Sequence, residues 1–379
     1  MYKIPFNRAD ITVDDQAMMI DAIQRGHISG NGYYTKQAES IIEQSMGSAK
    51  ALLTTSCTHA LEMSALLANL KPGDEVIVPA FTFVSTASAF MLYGAKPVFV
   101  DVQSDTLNLD PDLVEASITP RTRAICVVHY AGVAANIERL QQIATAHNLV
   151  LIEDNAHGLF ATYKNKPLGT FGSMATQSFH ETKNVTCGEG GALIVNDASL
   201  VERAEILREK GTDRTKFLRG QVDKYTWVDV GSSWVMSDML AAVLTSQLGR
   251  ASEITQQRLT IHSRYASELQ DWALQHSVTT PVEPADCKHT AHMFHLRFEH
   301  AHQRDSFIDH LAQHQILAVF HYQSLHLSKV GMQLGGRQGQ CPVTEHASDC
   351  LVRLPLFNTL TALEQTQVID AVTSFSPAL

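Results

Sequence analysis

No apolar run in this chain approaches the ~20 consecutive apolar residues that a membrane-spanning helix requires. The opening segment MYKIPFNRADITVDD also has neither the basic region nor the apolar region of a secretory signal peptide. These two absences argue against a membrane partner and against secretion. We therefore expect the chain to lie in the cytoplasm.

Positive charge is in deficit, because 29 Lys and Arg residues face 39 Asp and Glu residues and leave a formal net charge of −10. The acidic residues are scattered along the chain, and no basic stripe is present. Binding to nucleic acid rests largely on basic groups that neutralise phosphates, so we expect no nucleic-acid partner. Any anionic ligand must be bound by a local set of groups.

Cysteine is also sparse, with six residues in 379. They form no CxxC pair and follow no regular spacing, which excludes a disulfide framework and a zinc ribbon as organising features. We expect reduced, mostly buried thiols at Cys57, Cys126, Cys187, Cys287, Cys341 and Cys350.

What the chain does contain is an alternation of short apolar runs with helical patterns, which is typical of a parallel α/β sheet. Helical patterns cover residues 58–70, 84–93, a stretch from Asp110, and 136–147. The predicted strands are 51–56, 75–79, 97–102, 124–129, 149–154, 174–179 and 191–196. The predicted fold is therefore α/β, with a mainly parallel sheet and helices on both faces.

The composition changes after a long helical pattern over 237–275. The segment TTPVEP (279–284) then opens a region in which the alternation MFHLRF (293–298) predicts an antiparallel sheet. We predict a large α/β domain over 1–250 and a smaller C-terminal α+β domain over 251–379.

Polar residues directly after each apolar run are the first candidates for a site, because open α/β sheets bind ligands beyond the carboxyl ends of their strands. TTSCTH (54–59) places hydroxyls and free N–H groups at a helix N-terminus, which suits an anion, although an ordinary helix cap has the same pattern. PAFTFVST (79–86) sets two aromatic rings beside hydroxyls, and both rings could equally be core.

EDNAH (153–157) begins with two adjacent carboxylates at the end of a predicted strand, where their burial is costly unless a metal, an arginine or a protonated ring nitrogen meets them. SFHETKN (178–184) carries Lys183 ahead of the glycine-rich CGEGG (187–191). A lone loop lysine is most often a solvated surface residue. Together with Asp154 and the anion site at 54–59, however, it supplies the parts that hold pyridoxal 5′-phosphate (PLP).

The order of these segments resembles the fold-type I, PLP-dependent sugar aminotransferases of the DegT/DnrJ/StrS family. The resemblance runs from IPFN (4–7) through HYQSLH (321–326) to LPLF (354–357). Within the family, FHETKN (179–184) and RGQVDKYTW (219–227) are most similar to the enzymes that make 4-amino-4,6-dideoxygalactose on dTDP.

The resemblance implies a role for each matching residue. Lys183 would bond covalently to the cofactor and then move the proton, and Asp154 would pair with the pyridine nitrogen. Phe83 would stack on the ring and His157 would lie beside the 3-hydroxyl. The phosphate would be bound by Ser56, Cys57, Thr58 and Ser178, with Ser233 of the neighbouring subunit at the place where many relatives have asparagine.

For the substrates, the resemblance implies L-glutamate as amino donor, a nucleotide-linked 4-keto-6-deoxyhexose as acceptor and a homodimer with shared sites. A GDP-linked sugar and a 4-aminoglucose product are the alternatives. The sugar-nucleotide candidates are Gly30, Tyr33, Lys224, Tyr225, His321 and Tyr322, and Ser324 stands where the family's HYxPLH pattern has proline.

Three other functions compete with transamination. A related sugar dehydratase has histidine in place of the lysine, whereas Lys183 is present here. A regulator would need an added DNA-binding segment, and no helix-turn-helix pattern is visible. A metal-binding protein is suggested by His289, His292, His295 and His300, but strand alternation would send His292 and His295 to opposite faces, so we expect no metal.

Overall fold

The computed structural model describes residues 2–377. Its strands are β1 (Lys50–Thr54), β2 (Glu75–Pro79), β3 (Lys96–Val100), β4 (Thr122–Val128), β5 (Val150–Asp154), β6 (Thr162–Tyr163), β7 (Lys166–Pro167), β8 (Met174–Ser178), β9 (Gly191–Val195), β10 (Cys287–Lys288), β11 (Phe294–Arg297), β12 (Val319–Phe320) and β13 (Leu351–Leu354). Each strand predicted before residue 200 is present within a few residues of its expected bounds.

The helices lie mainly between these strands and after them. They are α1 (Val13–Gln24), α2 (Tyr33–Met46), α3 (Cys57–Leu67), α4 (Ser85–Met91), α5 (Pro111–Ala116), α6 (Ile137–Ala146), α7 (Val201–Arg208), α8 (Arg214–Leu218), α9 (Asp238–Gly249), α10 (Ala251–Glu268), α11 (Gln270–Gln275), α12 (Ala301–Gln313), α13 (Lys329–Gln333), α14 (Pro342–Cys350) and α15 (Ala362–Ser374). No helix within residues 2–377 is both long and apolar enough to cross a bilayer.

The large sheet has seven strands in the order β1-β9-β8-β5-β4-β2-β3. The pairs β2–β3, β2–β4, β4–β5 and β5–β8 are parallel, whereas β9 runs antiparallel to both of its neighbours. Alternate residues of β9 enter two different cores, with Leu193 in the cluster under α3 and Ile194 in the cluster under α2 and α9. Helices therefore cover both faces, and the predicted α/β fold with a mainly parallel sheet is confirmed.

The carboxyl ends of β1, β5 and β8 lie at one edge of this sheet. Because β9 is antiparallel to β1 and β8, its first residue, Gly191, lies opposite Thr54 on one side and Ser178 on the other. Asp154 ends the parallel neighbour β5. The topology thus brings three segments that are distant in sequence to one place.

The C-terminal part contains the three-stranded antiparallel sheet β11-β13-β12. This confirms the antiparallel pairing predicted for the MFHLRF region, although the strand begins at Phe294 and leaves His292 outside it. Its apolar core joins β11 and β13 to α10, α12 and α15, and Ile4 from the N-terminus packs into the same core. The domain boundary at residue 250 stays a prediction.

The long helical pattern over 237–275 is not one helix. The chain breaks after Gly249 and again at Leu269, giving α9, α10 and α11. Glycine has a low helix propensity because its backbone loses the most freedom on ordering, which favours the first break.

Candidate active site

Asp154 lies buried at the end of β5. One carboxylate oxygen, Oδ2, accepts a hydrogen bond from the Thr86 hydroxyl at 2.8 Å, and Oδ1 accepts from the Ala156 N–H at 3.3 Å. The Thr86 hydroxyl has a single proton, so the Thr82 hydroxyl 2.8 Å away donates to it in turn. Burial raises the pKa of Asp154, and these donors, together with the charge of Lys183, offset only part of that cost.

The neighbouring carboxylate, Glu153, has a different environment because successive strand residues face opposite sides of a sheet. It is fully buried, and His129 Nε2 lies 2.9 Å from its Oε2. Its two oxygens accept three backbone N–H bonds of 2.7–2.8 Å from Gly169, Phe171 and Gly172. The cationic partner expected for the EDNAH pair is thus needed at Asp154 and not at Glu153.

Lys183 lies on a closed loop between β8 and β9. The N–H of Phe179 donates to the carbonyl of Gly190 at 2.8 Å, and the N–H of Lys183 donates to the carbonyl of His180 at 2.9 Å. Burial lowers the pKa of the Lys183 ammonium to about 8, against the opposite influence of Cys57 and Asp154. The influence of Cys57 and Asp154 on this pKa means that the amine lies close to both side chains.

The N-terminus of α3 opens into this pocket. The Ser56 hydroxyl caps the helix by accepting the N–H of His59 at 3.1 Å, as the simpler interpretation of TTSCTH predicted. Thr58 Oγ1 lies 2.8 Å from Ser85 Oγ, and the Cys57 thiol donates to Thr176 Oγ1 at 3.4 Å. The first N–H groups of a helix have no partner within it, so the capped turn can still receive an anion.

Gly191 holds the strand β9 against that turn. A Cβ atom at Gly191 would lie 2.4 Å from the backbone nitrogen of Cys57 and from the carbonyl carbon of Ser56. Backbone atoms cannot move aside as a flexible side chain can, so only glycine allows this close approach. Ser178, which ends β8, pairs with the same glycine.

His157 is stacked against the rings of two residues from the C-terminal part, His292 and Tyr322. Its imidazole is 4.2 Å from that of His292 between ring centroids, with planes 22° from parallel, and it is nearly parallel to the ring of Tyr322 at 8°. Its Nε2 lies 3.2 Å from the Tyr322 hydroxyl, while its buried Nδ1 has no hydrogen-bond partner within residues 2–377. Burial lowers the pKa of His157 well below its ordinary value, so the ring is neutral.

His321 and Tyr322, both predicted to bind substrate, are brought into this pocket from the C-terminal part. Their ring centroids are 3.6 Å apart, and His321 Nδ1 is 2.8 Å from the hydroxyl of Tyr130. Phe83 lies at the rim, 57% exposed, with its ring centroid 6.4 Å from that of Tyr322.

The other predicted site residues are not joined to this pocket within the described chain. Gly30 fits tightly against the backbone of Met236, because a Cβ atom at Gly30 would lie 2.5 Å from the carbonyl oxygen of Met236. Tyr33 packs under Arg25, whose guanidinium lies 4.0 Å from the ring centroid. Lys224, Tyr225 and Ser233 are exposed. Their assignment to the active site stays a prediction that requires a second subunit.

Three residues near the pocket were missed by sequence reasoning. Thr86 lies inside the segment 79–86, and its position four residues after Thr82 was the available signal. His292 donates from Nδ1 to Asn184 Oδ1 at 2.9 Å, beside Lys183. Arg353 of β13 influences Lys183, His157 and His321 electrostatically, and its buried Nε has no hydrogen-bond partner in the described structure. No local sequence signal marked it.

The four histidines of the metal-binding alternative do not meet. His292 lies against His157, His295 packs edge-on against Tyr130 at 5.9 Å, and His300 precedes α12. The alternation argument was wrong for His292, because that residue precedes the strand.

The pocket suits PLP. It offers an amine at Lys183, a buried carboxylate at Asp154, a helix N-terminus for a phosphate and flat rings that can contact a pyridine plane. A cationic ring nitrogen would compensate the buried charge of Asp154, whose pKa burial raises. The unpartnered Nδ1 of His157 can take part in a hydrogen bond with a hydroxyl of a bound ring.

The chain is similar to known proteins over most of its length. A family model described as the DegT/DnrJ/EryC1/StrS aminotransferase family matches residues 9–373. Among solved structures, Spr1654 of Streptococcus pneumoniae, assigned as a sugar aminotransferase and solved in its PMP form, has a TM-score of 0.91 at 29% identity, with 98% of each chain covered. The same protein has been solved in a PLP form.

Two further structures are similar over comparable lengths. The aminotransferase TlmJ of Streptoalloteichus hindustanus has a TM-score of 0.89 at 27% identity and covers 99% of this chain and 98% of its own. DesV of S. venezuelae, solved in complex with a ketimine intermediate, has a TM-score of 0.89 at 30% identity, with 98% of each chain covered.

Proposed function

Because this chain belongs to the DegT/DnrJ/EryC1/StrS aminotransferase family, we propose that it transfers an amino group from L-glutamate to C4 of dTDP-4-keto-6-deoxyglucose. The product would be dTDP-4-amino-4,6-dideoxygalactose. The observation that carries the proposal is the meeting of Lys183, Asp154 and the N-terminus of α3 at one sheet edge. The cofactor is pyridoxal 5′-phosphate, which is present in the related pneumococcal protein.

When bound, PLP supplies the carbonyl that takes up and releases the amino group and a ring that delocalises the electrons of the bond being broken. Asp154 would hold the pyridine nitrogen in its protonated form, since the buried carboxylate gains a cationic partner there. Ser56, Cys57, Thr58 and Ser178 would hold the phosphate. Phe83 would stack on the ring and fix its plane, and His157 would lie beside the 3-hydroxyl.

Lys183 would both anchor the cofactor and move the proton between the substrate carbon and the cofactor. Both tasks need a neutral amine at Nζ, and a pKa of about 8 makes the neutral form accessible near neutral pH. An unburied lysine would be almost wholly protonated there.

The amino donor carries carboxylates, and Arg353 is a cation suited to receive one. Its guanidinium lies 4.6 Å above the Phe6 ring and donates from one Nη to the carbonyl of Phe320 at 3.0 Å, while the buried Nε is unpartnered in the described structure. A carboxylate would satisfy that Nε with a charge-assisted hydrogen bond. This supports an amino acid as the donor, and L-glutamate is the donor that we propose.

For the acceptor, His321 and Tyr322 supply polar groups beside Lys183, and their rings are held by Tyr130 and His157. The segments 179–184 and 219–227 favour a dTDP-linked sugar and a galacto product. A GDP-perosamine synthase and a dTDP-4-amino-4,6-dideoxyglucose synthase are the alternatives within the same chemistry. NMR of the product distinguishes an axial from an equatorial amine.

A homodimer with shared sites accounts for the predicted residues that lie apart from the pocket. The segment that carries Lys224 and Tyr225 also carries Trp227, which is 78% exposed. Val228 and Val230 beside it are also more than half exposed, and several exposed apolar side chains in one segment are typical of a surface that another chain covers. Phe83 at the pocket rim is a second exposed ring.

The proposed setting is cytoplasmic synthesis of enterobacterial common antigen or another surface polysaccharide.

The visible absorption spectrum tests cofactor, donor and acceptor in one sample. The purified holoenzyme is expected to be yellow, to lose that band on addition of L-glutamate, and to regain it on addition of dTDP-4-keto-6-deoxyglucose. Lys183→Ala is the matched control: its bound PLP can still condense with glutamate, but the band should not be lost, because the amine that moves the proton is missing.

Each result contradicts a different part of the proposal. A protein that cannot bind added PLP would overturn the cofactor site. Bleaching by another amino donor, with none by L-glutamate, would overturn the donor. A band that glutamate bleaches but the dTDP-linked keto sugar leaves unrestored would overturn the acceptor.

A further inference from the structure

A second cluster of metal-ligating side chains lies outside the cofactor pocket. It consists of His262 on α10, with Glu283 and His289 from the connection between α11 and β11. Their ligand atoms all lie within 4.8 Å of one another. His289 is the one member of the predicted histidine group that takes part, and its partners come from segments that sequence reasoning did not associate with it.

The distances are close to those of a metal site. His289 Nε2 lies 2.8 Å from Glu283 Oε1, and His262 Nδ1 lies 3.5 Å from the same oxygen. Ligands of tetrahedral zinc at about 2.0–2.1 Å from the ion are separated by roughly 3.3 Å from one another. Two imidazoles and one carboxylate also form a donor set that zinc accepts, with a fourth position for water.

The second observation is an unpartnered buried atom. His262 is 3% exposed, and its Nδ1 makes no hydrogen bond with any described residue. Burying such a nitrogen without a partner costs free energy, which an ion at this place would recover.

The orientation of His289 is fixed by its own backbone. Its Nδ1 accepts the N–H of Ala291 at 3.0 Å, which leaves Nε2 directed to Glu283. Because Nδ1 is an acceptor, the ring proton lies on Nε2 and is donated to Glu283; zinc at Nε2 would take the place of that proton, which would be released to solvent. The positive charge of Arg258 opposes a cation nearby. Its guanidinium donates hydrogen bonds to the carbonyls of Ala291 and His292, and these carbonyl oxygens offset part of that charge.

We propose that His262, Glu283 and His289 bind one divalent cation of the zinc class per chain, at a site separate from the cofactor pocket. The two sites are linked by a short segment, since the carbonyl of Thr290 accepts from Asn184 at 2.7 Å and His292 stacks on His157. Zinc would therefore order the segment 283–292, which positions His292 in the cofactor pocket.

The test is equilibrium dialysis of the holoenzyme against ZnCl₂ after chelation, with metal counted by mass spectrometry. One zinc per chain is expected. Glu283→Gln is the decisive variant because the side chain is 54% exposed and its replacement should leave the fold intact. It should weaken zinc binding at least tenfold, about the lower bound for losing even a residue that supports a ligand.

His314→Gln is the matched control, because that histidine is exposed on the surface and lies outside the cluster. Its zinc binding should equal that of the unaltered protein. His289→Gln provides a second variant that should behave as Glu283→Gln does. Absence of stoichiometric zinc, or stoichiometric zinc that survives both cluster substitutions, would overturn the proposal.

Discussion

The imidazoles of His157 and His292 stack at 4.2 Å, the first at the end of the EDNAH segment that begins in β5 and the second just before β11. His292 is itself fixed by Asn184, the neighbour of Lys183. The ring expected beside the cofactor is therefore supported by a residue from the C-terminal part, and the pocket depends on the packing of the two parts.

Replacing His292 tests that support. His292→Ala should weaken PLP binding about two- to twelvefold, because an aromatic pair contributes about 0.5–1.5 kcal/mol. His292→Phe keeps a flat ring and should recover most of the affinity. Fluorescence titration of the apoprotein with PLP measures both variants. Equal losses in the two would contradict a role through stacking.

The buried charge of Asp154 predicts that its removal slows turnover but does not lower the stability of the apoprotein. Its folded-state pKa is raised by burial, so at neutral pH the ionised carboxylate destabilises the protein without cofactor. Asp154→Asn should slow turnover by about 10²–10³-fold, the loss typical of one preorganised group. The melting temperature of the apoprotein should not fall. A clear drop in that temperature would show that the carboxylate stabilises the fold.

The pKa of Lys183 sets the pH dependence of cofactor capture. With a pKa of about 8, the amine is mostly protonated below that pH and neutral above it. The rate at which the apoprotein bonds PLP should rise with pH and level off above about 8, since only the neutral amine is nucleophilic. Stopped-flow absorbance measures this rate. A midpoint near 10 would mean that burial does not lower the pKa.

Gly191 tests the anion site at α3. Gly191→Ala should displace the turn at Ser56 and Cys57 and weaken PLP binding by at least about tenfold, because the added Cβ meets backbone at 2.4 Å. Gly249→Ala is the matched control, since nothing lies within 4 Å of a Cβ there. Circular dichroism confirms folding of both variants, and PLP titration compares them. Equal affinity in the two would contradict the close approach.

A shared site can be tested by mixing inactive variants. If Lys183 of one subunit acts with Lys224 of the other, Lys183→Ala and Lys224→Ala should each be inactive alone. Dimers formed by mixing them should recover about a quarter of the activity, because half are mixed and each mixed dimer has one intact site. No recovery after verified exchange of subunits would place both lysines in one chain's site.

Sequence alone determined the secondary structure around the pocket and several of its residues. Strand ends followed from apolar runs, and the segments TTSCTH, EDNAH and SFHETKN were identified because each lies at the end of a strand or opens a turn. The individual roles of Ser56, Asp154, Ser178 and Lys183 are those that the family resemblance implies. These are local signals, since hydrophobic period and turn chemistry act over a few residues. They also indicated the parallel order of the large sheet, because helices between strands require crossover connections.

Only the tertiary structure decided which side chains meet across distant segments. The Thr86–Asp154 hydrogen bond, the position of Arg353 near Lys183 and the grouping of His289 with His262 and Glu283 come from such packing. The second break of the 237–275 pattern, at Leu269, and the exclusion of His292 from β11 were likewise outside local rules. Contacts of this kind depend on how whole helices and strands pack together. The residue pattern within one helix or strand does not specify which other element packs against it.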